Sequence, residues 1–154
     1  MRKVLIALAA TTAALVATPA LANEARVEAR GGVIWSGGSS QDTWGAAAGY
    51  DVDLGSSAFV GAEVSGDKIG TSGTKVAWGL NGRVGAKVGD KVKLFAAGGY
   101  TTEPCTGCEG NWDAGAGAEF GFTKNLYAKV EYRHFFGDTF ASSDAVVAGL
   151  GIKF

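Results

Sequence analysis

The stretch Val76-Ala77-Trp78-Gly79-Leu80-Asn81-Gly82-Arg83-Val84-Gly85-Ala86-Lys87 alternates two kinds of residue without a break. Val76, Trp78, Leu80, Gly82, Val84 and Ala86 form one set, uncharged throughout. Lys75, Ala77, Gly79, Asn81, Arg83, Gly85 and Lys87 form the other, small, polar or charged. A period of two belongs to a β-strand, whose successive side chains point to opposite faces. Gly89-Asp90 then offers residues suited to a two-residue hairpin turn. Beyond it the alternation resumes, with Val92, Leu94, Ala96, Gly98 and Tyr100 set against Lys91, Lys93, Phe95, Ala97 and Gly99.

Outward from this hairpin, the same period predicts eight strands, over residues 25–35, 43–52, 58–65, 75–87, 91–100, 112–122, 126–133 and 146–154. Their apolar faces carry no Asp, Glu, Lys or Arg, whereas the opposite faces of the same strands hold many. A Lys or Arg facing lipid at mid-bilayer costs about 2–4 kcal/mol in a transmembrane barrel, so a lipid-facing surface excludes charge in this way. The intervening segments 36–42, 53–57, 66–73, 89–90, 102–111, 123–125 and 136–144 read as connections, broadly alternating long and short. Transmembrane barrels pair short periplasmic turns with longer outer loops. Eight strands would then place both termini on the periplasmic side.

The large aromatics sort by strand end. Trp35, Trp44, Trp78 and Trp112 are expected where a strand meets a long loop, with Tyr100 and Tyr132 near the same rim. Phe120, Phe122 and Phe154 fall at the opposite end. Two aromatic levels flanking small aliphatics match the two interfaces of a membrane.

The N-terminus reads as a targeting segment. Arg2 and Lys3 precede an apolar run from Val4 to Val16, and Ala20-Leu21-Ala22 is a small-residue cleavage signal. Residues 1–22 are therefore expected to be a signal peptide, leaving one domain over 23–154. Loss of Arg2 and Lys3 leaves twelve of the fourteen basic residues against fifteen acidic ones, so the mature chain has no basic field for nucleic acid. No later stretch approaches the length of a transmembrane helix. Gly occurs 25 times against two Pro, which favours a sheet with tight turns and crowded interior side chains.

A soluble barrel would show the same period with the apolar face turned inward. The composition of the polar face argues against it, because Gly weakens a solvated strand and packs nothing there. Inside an eight-stranded barrel there is room only for packed side chains, and glycines admit long ones. Arg26, Glu28, Arg30, Glu63, Arg83, Lys93, Glu119, Lys129, Glu131 and Arg133 are expected to line the lumen as a paired network, with Asp51, Asp113, Lys87 and Lys153 within reach. Unpaired charges there would be costly, so the lumen is expected to be largely plugged.

Leu126-Tyr127-Ala128-Lys129-Val130-Glu131-Tyr132-Arg133 is similar to the penultimate strand of opacity-type barrels. Gly149-Leu150-Gly151-Ile152-Lys153-Phe154 resembles the C-terminal signal read by the outer-membrane assembly machinery, with Gly149, Ile152 and Phe154 as its marks; Ala148 stands where a polar residue is usual. Together with the signal peptide, these segments resemble the small outer-membrane β-barrel family of Gram-negative bacteria, which includes the OmpA and OmpX barrels, the opacity proteins and "porin family" chains. The resemblance covers residues 23–154. It implies an eight-stranded antiparallel up-and-down transmembrane barrel in the outer membrane, with membrane lipid and the assembly machinery as partners, and a monomeric state. One such fold hosts adhesins, enzymes and inert anchors.

Cys105-Thr106-Gly107-Cys108 is expected to form a disulfide, ahead of a redox motif or half of a zinc site. Zinc needs about four ligands, and His134 is the only histidine. Barrel lipid-A deacylases resemble a His-x-Ser arrangement with a later acid; here His134 is followed by Phe135 and Phe136, so the nucleophile is missing. The expectation is a non-enzymatic barrel without cofactor or metal, with a structural or envelope-interaction role. A narrow porin for small solutes or ions is the alternative, and a lipid-modifying enzyme stands third.

Overall fold

The structure is a computed structural model and describes residues 23–137 and 142–154. The expected signal peptide, residues 1–22, lies outside the described residues, as does the middle of the last connection. The strands are β1 (Glu24–Ser36), β2 (Ser39–Leu54), β3 (Ala58–Ile69), β4 (Ala77–Val88), β5 (Val92–Thr101), β6 (Asn111–Gly121), β7 (Leu126–Phe136) and β8 (Ser143–Lys153). Each pairs antiparallel with its neighbours in sequence, and β8 returns to β1, closing the barrel. Closure leaves no strand edge unpaired, a requirement in lipid.

The register fixes the barrel's shape. A path perpendicular to the strands leaves β1 at Ala25 and crosses Tyr50, Ala62, Gly82, Gly98, Ala114, His134 and Asp144. It re-enters β1 at Trp35, ten residues further on. Such a stagger tilts the strands by about 40° to the barrel axis. Residues in different strands that share a height are therefore not direct ladder partners.

The apolar faces point outward and the charged faces inward in all eight strands. Leu80, Val84, Val130 and Leu150 are exposed on the outside, whereas Arg83, Lys129 and Glu131 are buried. This inversion of a soluble core suits lipid as the outer solvent. The start of β1 and the C-terminus lie at one end of the barrel, where Ala25 and Phe154 exchange backbone hydrogen bonds; the opposite end is termed distal below.

The connections differ from expectation at the distal end. Residues 36–42 are not a loop: Ser36 pairs with Ser39 across a two-residue turn, and β2 runs on through Asp42 and Thr43. Gly37 and Gly38 supply the turn with φ of 57° and 87°, a region that costs other residues strain. Strand β3 likewise continues to Ile69 and β7 to Phe136. In these extensions outward polar groups such as Asp42, Lys68 and His134 interrupt the apolar alternation, which hides the strand in the sequence. At the terminal end the turn after Val88 has three residues, with Lys91 in the turn rather than in β5. The long distal connections are thus those after β3, β5 and β7.

Candidate functional site

The lumen holds most of the charged residues of the strands. Among the described residues its buried set contains six cations, Arg26, Arg30, Arg83, Lys93, Lys129 and Arg133, and six carboxylates, Glu28, Asp51, Glu63, Asp113, Glu119 and Glu131. The charges balance, and the ten expected lumen residues are all among them.

Glu63 on β3 is the hub. Its carboxylate accepts from Arg26 Nη1 at 2.6 Å, Arg30 Nη1 at 2.9 Å and Lys129 Nζ at 3.2 Å. Lys129 also meets Glu28 at 2.6 Å and Glu131 at 3.3 Å, and Arg133 pairs with Glu131 at 2.6 Å. Towards the terminal end, Arg83 bridges Asp51 at 2.8 Å and Glu119 at 3.2 Å, and Lys93 meets Glu24 at 2.5 Å. Towards the distal end, Asn81 and Thr101 donate to Asp113 at 2.6 Å and 2.8 Å, and Arg30 forks onto Asp67. Glu24 and Asp67 escaped the sequence reading because they sat just outside its strand bounds.

Aromatic side chains fill the remaining space in the terminal half. Phe59, Phe95 and Tyr127 are buried on the lumen face. Their inward parity was legible, but their joint role as filler was not. The Arg83 guanidinium carbon stands 4.6 Å from the Phe95 ring centre and 5.0 Å from that of Phe59, and Lys93 Nζ stands 5.1 Å from Phe59. Such contacts are favourable for a cation with little water around it.

Glycines make room for these rings. Gly85 lies between Phe59 and Phe95 in the ladder, and Phe95 in turn lies between Gly85 and Gly117. A Cβ on Gly85 would come within 2.7 Å of the Phe59 ring, and one on Gly117 within 2.6 Å of Phe95. Alternation of ring and glycine around the barrel therefore decides which side chains fit the lumen.

The distal third is different. There the lumen widens into a vestibule with a cavity volume of about 170 Å³, open to solvent at its mouth. Arg30, Asp67, Glu131 and Arg133 line its deep end, and Ile34, Ile69, Phe135 and Val147 line its sides.

Outside, the aromatic residues form a level. On strands tilted by about 40°, one residue is worth roughly 2.5 Å of height. Counted along the ladder, Trp44, Trp78, Tyr100 and Trp112 share a height to within roughly 3 Å. Tyr132 lies roughly 5 Å nearer the middle and Trp35 roughly 6 Å further out. Trp35 leaves the expected rim because the first hairpin is tight and projects as paired strand. Tyr100 and Trp112 pack edge to face, with ring centres 5.5 Å apart. Phe120, Phe122 and Phe154 lie roughly 20 Å below this level, close to the apolar height of a transmembrane barrel.

His134 also faces outward, at the height of this aromatic level. Its Nδ1 lies 2.7 Å from Asp144 Oδ1, which also accepts from the Tyr132 hydroxyl at 2.6 Å. Its ring packs on Phe136, with centres 4.8 Å apart. No cluster of three or more metal-ligating side chains occurs among the described residues.

Cys105 and Cys108 form the disulfide in the loop after β5. That loop is tied to the one after β3: Thr74 and Cys105 form an isolated bridge, and the Lys75 amide donates to the Pro104 carbonyl at 2.8 Å. Of the expected assembly signal, Ile152 and Phe154 lie on the outer face and Gly149 lies in the lumen, buried against Glu28.

A closed antiparallel barrel with an apolar exterior and a charged, packed lumen defines the class of transmembrane β-barrels. The chain belongs to the family described as outer membrane protein beta-barrel domain, whose model matches residues 6–154, and it is accordingly an integral protein of the outer membrane. No curated protein matches the chain. Among solved structures it is similar to Ail, the attachment invasion locus protein of Yersinia pestis, at 13% identity and a TM-score of 0.62, covering 86% of this chain and 98% of that one. It is similar to the N-terminal β-barrel domain of Pseudomonas aeruginosa OprF at 18% identity and a TM-score of 0.64, covering 85% and 97%. It is also similar to the outer membrane enzyme PagL at 16% identity and a TM-score of 0.60, covering 82% and 98%. At these identities the likeness is one of fold.

Proposed function

We propose that this protein is a structural or envelope-interaction barrel whose lumen passes no solute. The balanced burial of six cations and six carboxylates, tied through Glu63 and packed on Phe59, Phe95 and Tyr127, carries this reading. An ion entering the barrel would have to separate paired charges in a region of little water, and a buried pair is costly to break. Both termini face the periplasm in this reading, and the disulfide loop faces the cell exterior. Membrane lipid covers the outer face, the barrel is a monomer, and Gly149, Ile152 and Phe154 serve its assembly.

The role is non-catalytic. His134 has an acid partner in Asp144, yet the ring it packs on is Phe136, which offers no nucleophile. Intact lipid-A mass spectra from a deletion strain should be unchanged; a mass shift restored by the intact gene would overturn this point.

Single-channel recording in planar bilayers tests the closed lumen. The expected result is a flat trace at all voltages that the bilayer tolerates. Stable, reproducible openings would overturn the reading in favour of a narrow porin.

A further inference from the structure

The distal vestibule stands apart from the rest of the lumen. Below it, inward positions are charged, polar, ring-filled or as small as glycine and alanine, with Ala47 and Ala97 among them. Within it, Ile34, Ile69, Phe135 and Val147 face inward around the small side chains of Ala77 and Ala145. The lumen of a transmembrane barrel is ordinarily polar where water reaches it. Four large apolar side chains facing a water-accessible mouth therefore carry a hydration cost that the plug does not require.

The floor adds a constraint. Arg30 is forked onto Asp67 and bonded to Glu63, and Arg133 is held by Glu131. These cations are already matched, so the deep end presents no net charge to an ion. Thr43, Thr101, Thr102, Asn111 and Ser143 supply the polar groups around the walls. Pro104 forms part of one side, on the loop that the disulfide and the Thr74–Lys75 contacts hold in place. A concave site whose exposed surface is mostly apolar, over a closed floor, is the form of a small-molecule pocket.

We infer that the vestibule is a binding site for a small uncharged apolar molecule, about the size of a bicyclic aromatic, taken up from the distal side. The closed floor makes it a site of capture and not of passage. An amphiphile with an anionic head is the poorer fit, because no cation on the floor is left without a carboxylate.

Indole is a suitable probe. The full mature chain would be placed in phospholipid nanodiscs with labelled Ile, Leu and Val methyl groups and titrated with indole by NMR. Ile34, Ile69 and Val147 should shift and saturate together, with intermolecular contacts from indole to the Ile34 methyl. Val146 and Leu150, on the outer face, report simple partition into lipid and should drift without saturating. Ala145→Leu fills the pocket and should weaken the saturating response by at least about tenfold. Should that variant fail to fold, Ala77→Leu fills the same space from β4. Non-saturating shifts at Ile34, Ile69 and Val147 that follow those of Val146 and Leu150 would overturn the inference. Preserved affinity in a folded Ala145→Leu or Ala77→Leu barrel would overturn it equally. Neither result depends on channel recording, so the two proposals can fail separately.

Discussion

The Tyr127 hydroxyl on β7 donates to Glu28 on β1 at 2.9 Å, reaching across β8 inside the barrel. It can do so because Gly151 on the intervening strand has no side chain; a Cβ there would come within 2.5 Å of Tyr127 Cζ. The bond spans the seam at which the last strand meets the first. Tyr127→Phe removes a donor to a buried carboxylate and should cost about 1–3 kcal/mol. Equilibrium urea unfolding in lipid vesicles measures this, and an unchanged midpoint would show that the seam does not need the bond.

Glu63 should be among the most sensitive positions in the lumen. Its carboxylate compensates Arg26, Arg30 and Lys129 together. Glu63→Gln leaves buried positive charge without its partner, and breaking a buried pair in this way costs about 3–5 kcal/mol. The same unfolding assay should show the loss, alongside unboiled migration on SDS gels at a lower temperature of conversion. A variant as stable as the parent would remove Glu63 from its place as hub.

Glycines inside and outside the barrel should respond differently. Gly117→Ala places a methyl against the Phe95 ring and the Val130 carbonyl, and should cost about 1–3 kcal/mol as overpacking. Gly82 faces outward, and a Cβ there would meet its nearest neighbour only at 3.9 Å. Gly82→Ala should therefore lie within about 0.5 kcal/mol of the parent. Equal effects at the two sites would mean that ring packing does not set the glycine requirement.

The outer face should refuse charge at mid-height. Val130→Arg projects a cation into the middle of the apolar band and should cost about 2–4 kcal/mol in a bilayer. Reversible folding into vesicles gives the value directly. A neutral result would mean that lipid does not cover this face.

Reduction should affect a loop and spare the barrel. The Cys105–Cys108 ring is small and holds a segment already tied to Thr74 and Lys75. Cys105→Ser with Cys108→Ser should cost at most about 2 kcal/mol on loop-entropy grounds. Hydrogen exchange should rise over residues 102–110 and stay unchanged in β4 to β6. Faster exchange across those strands would show that the loop supports the wall as well.

The period of two, written into stretches such as Val76 to Lys87, determined the strands, their count and which face each residue takes. That much is local, because pleating sends neighbours to opposite sides, and lipid penalises charge whatever the neighbouring strand. Disulfide formation between Cys105 and Cys108 was legible for the same reason: the two residues are close in sequence. Only the tertiary structure decided which charges meet. The ten-residue stagger brings Arg26 to Glu63 two strands away and carries Tyr127 over Gly151 to Glu28, relations that no spacing within one strand encodes. Closure of the barrel also decided where the strands end. Residues 39–42 are extended because β1 pairs with them across the Gly37-Gly38 turn, although their own side chains show no apolar alternation. The apolar vestibule has the same origin, since Ile34, Ile69, Phe135 and Val147 come from four strands and share a cavity only because the sheet closes on itself.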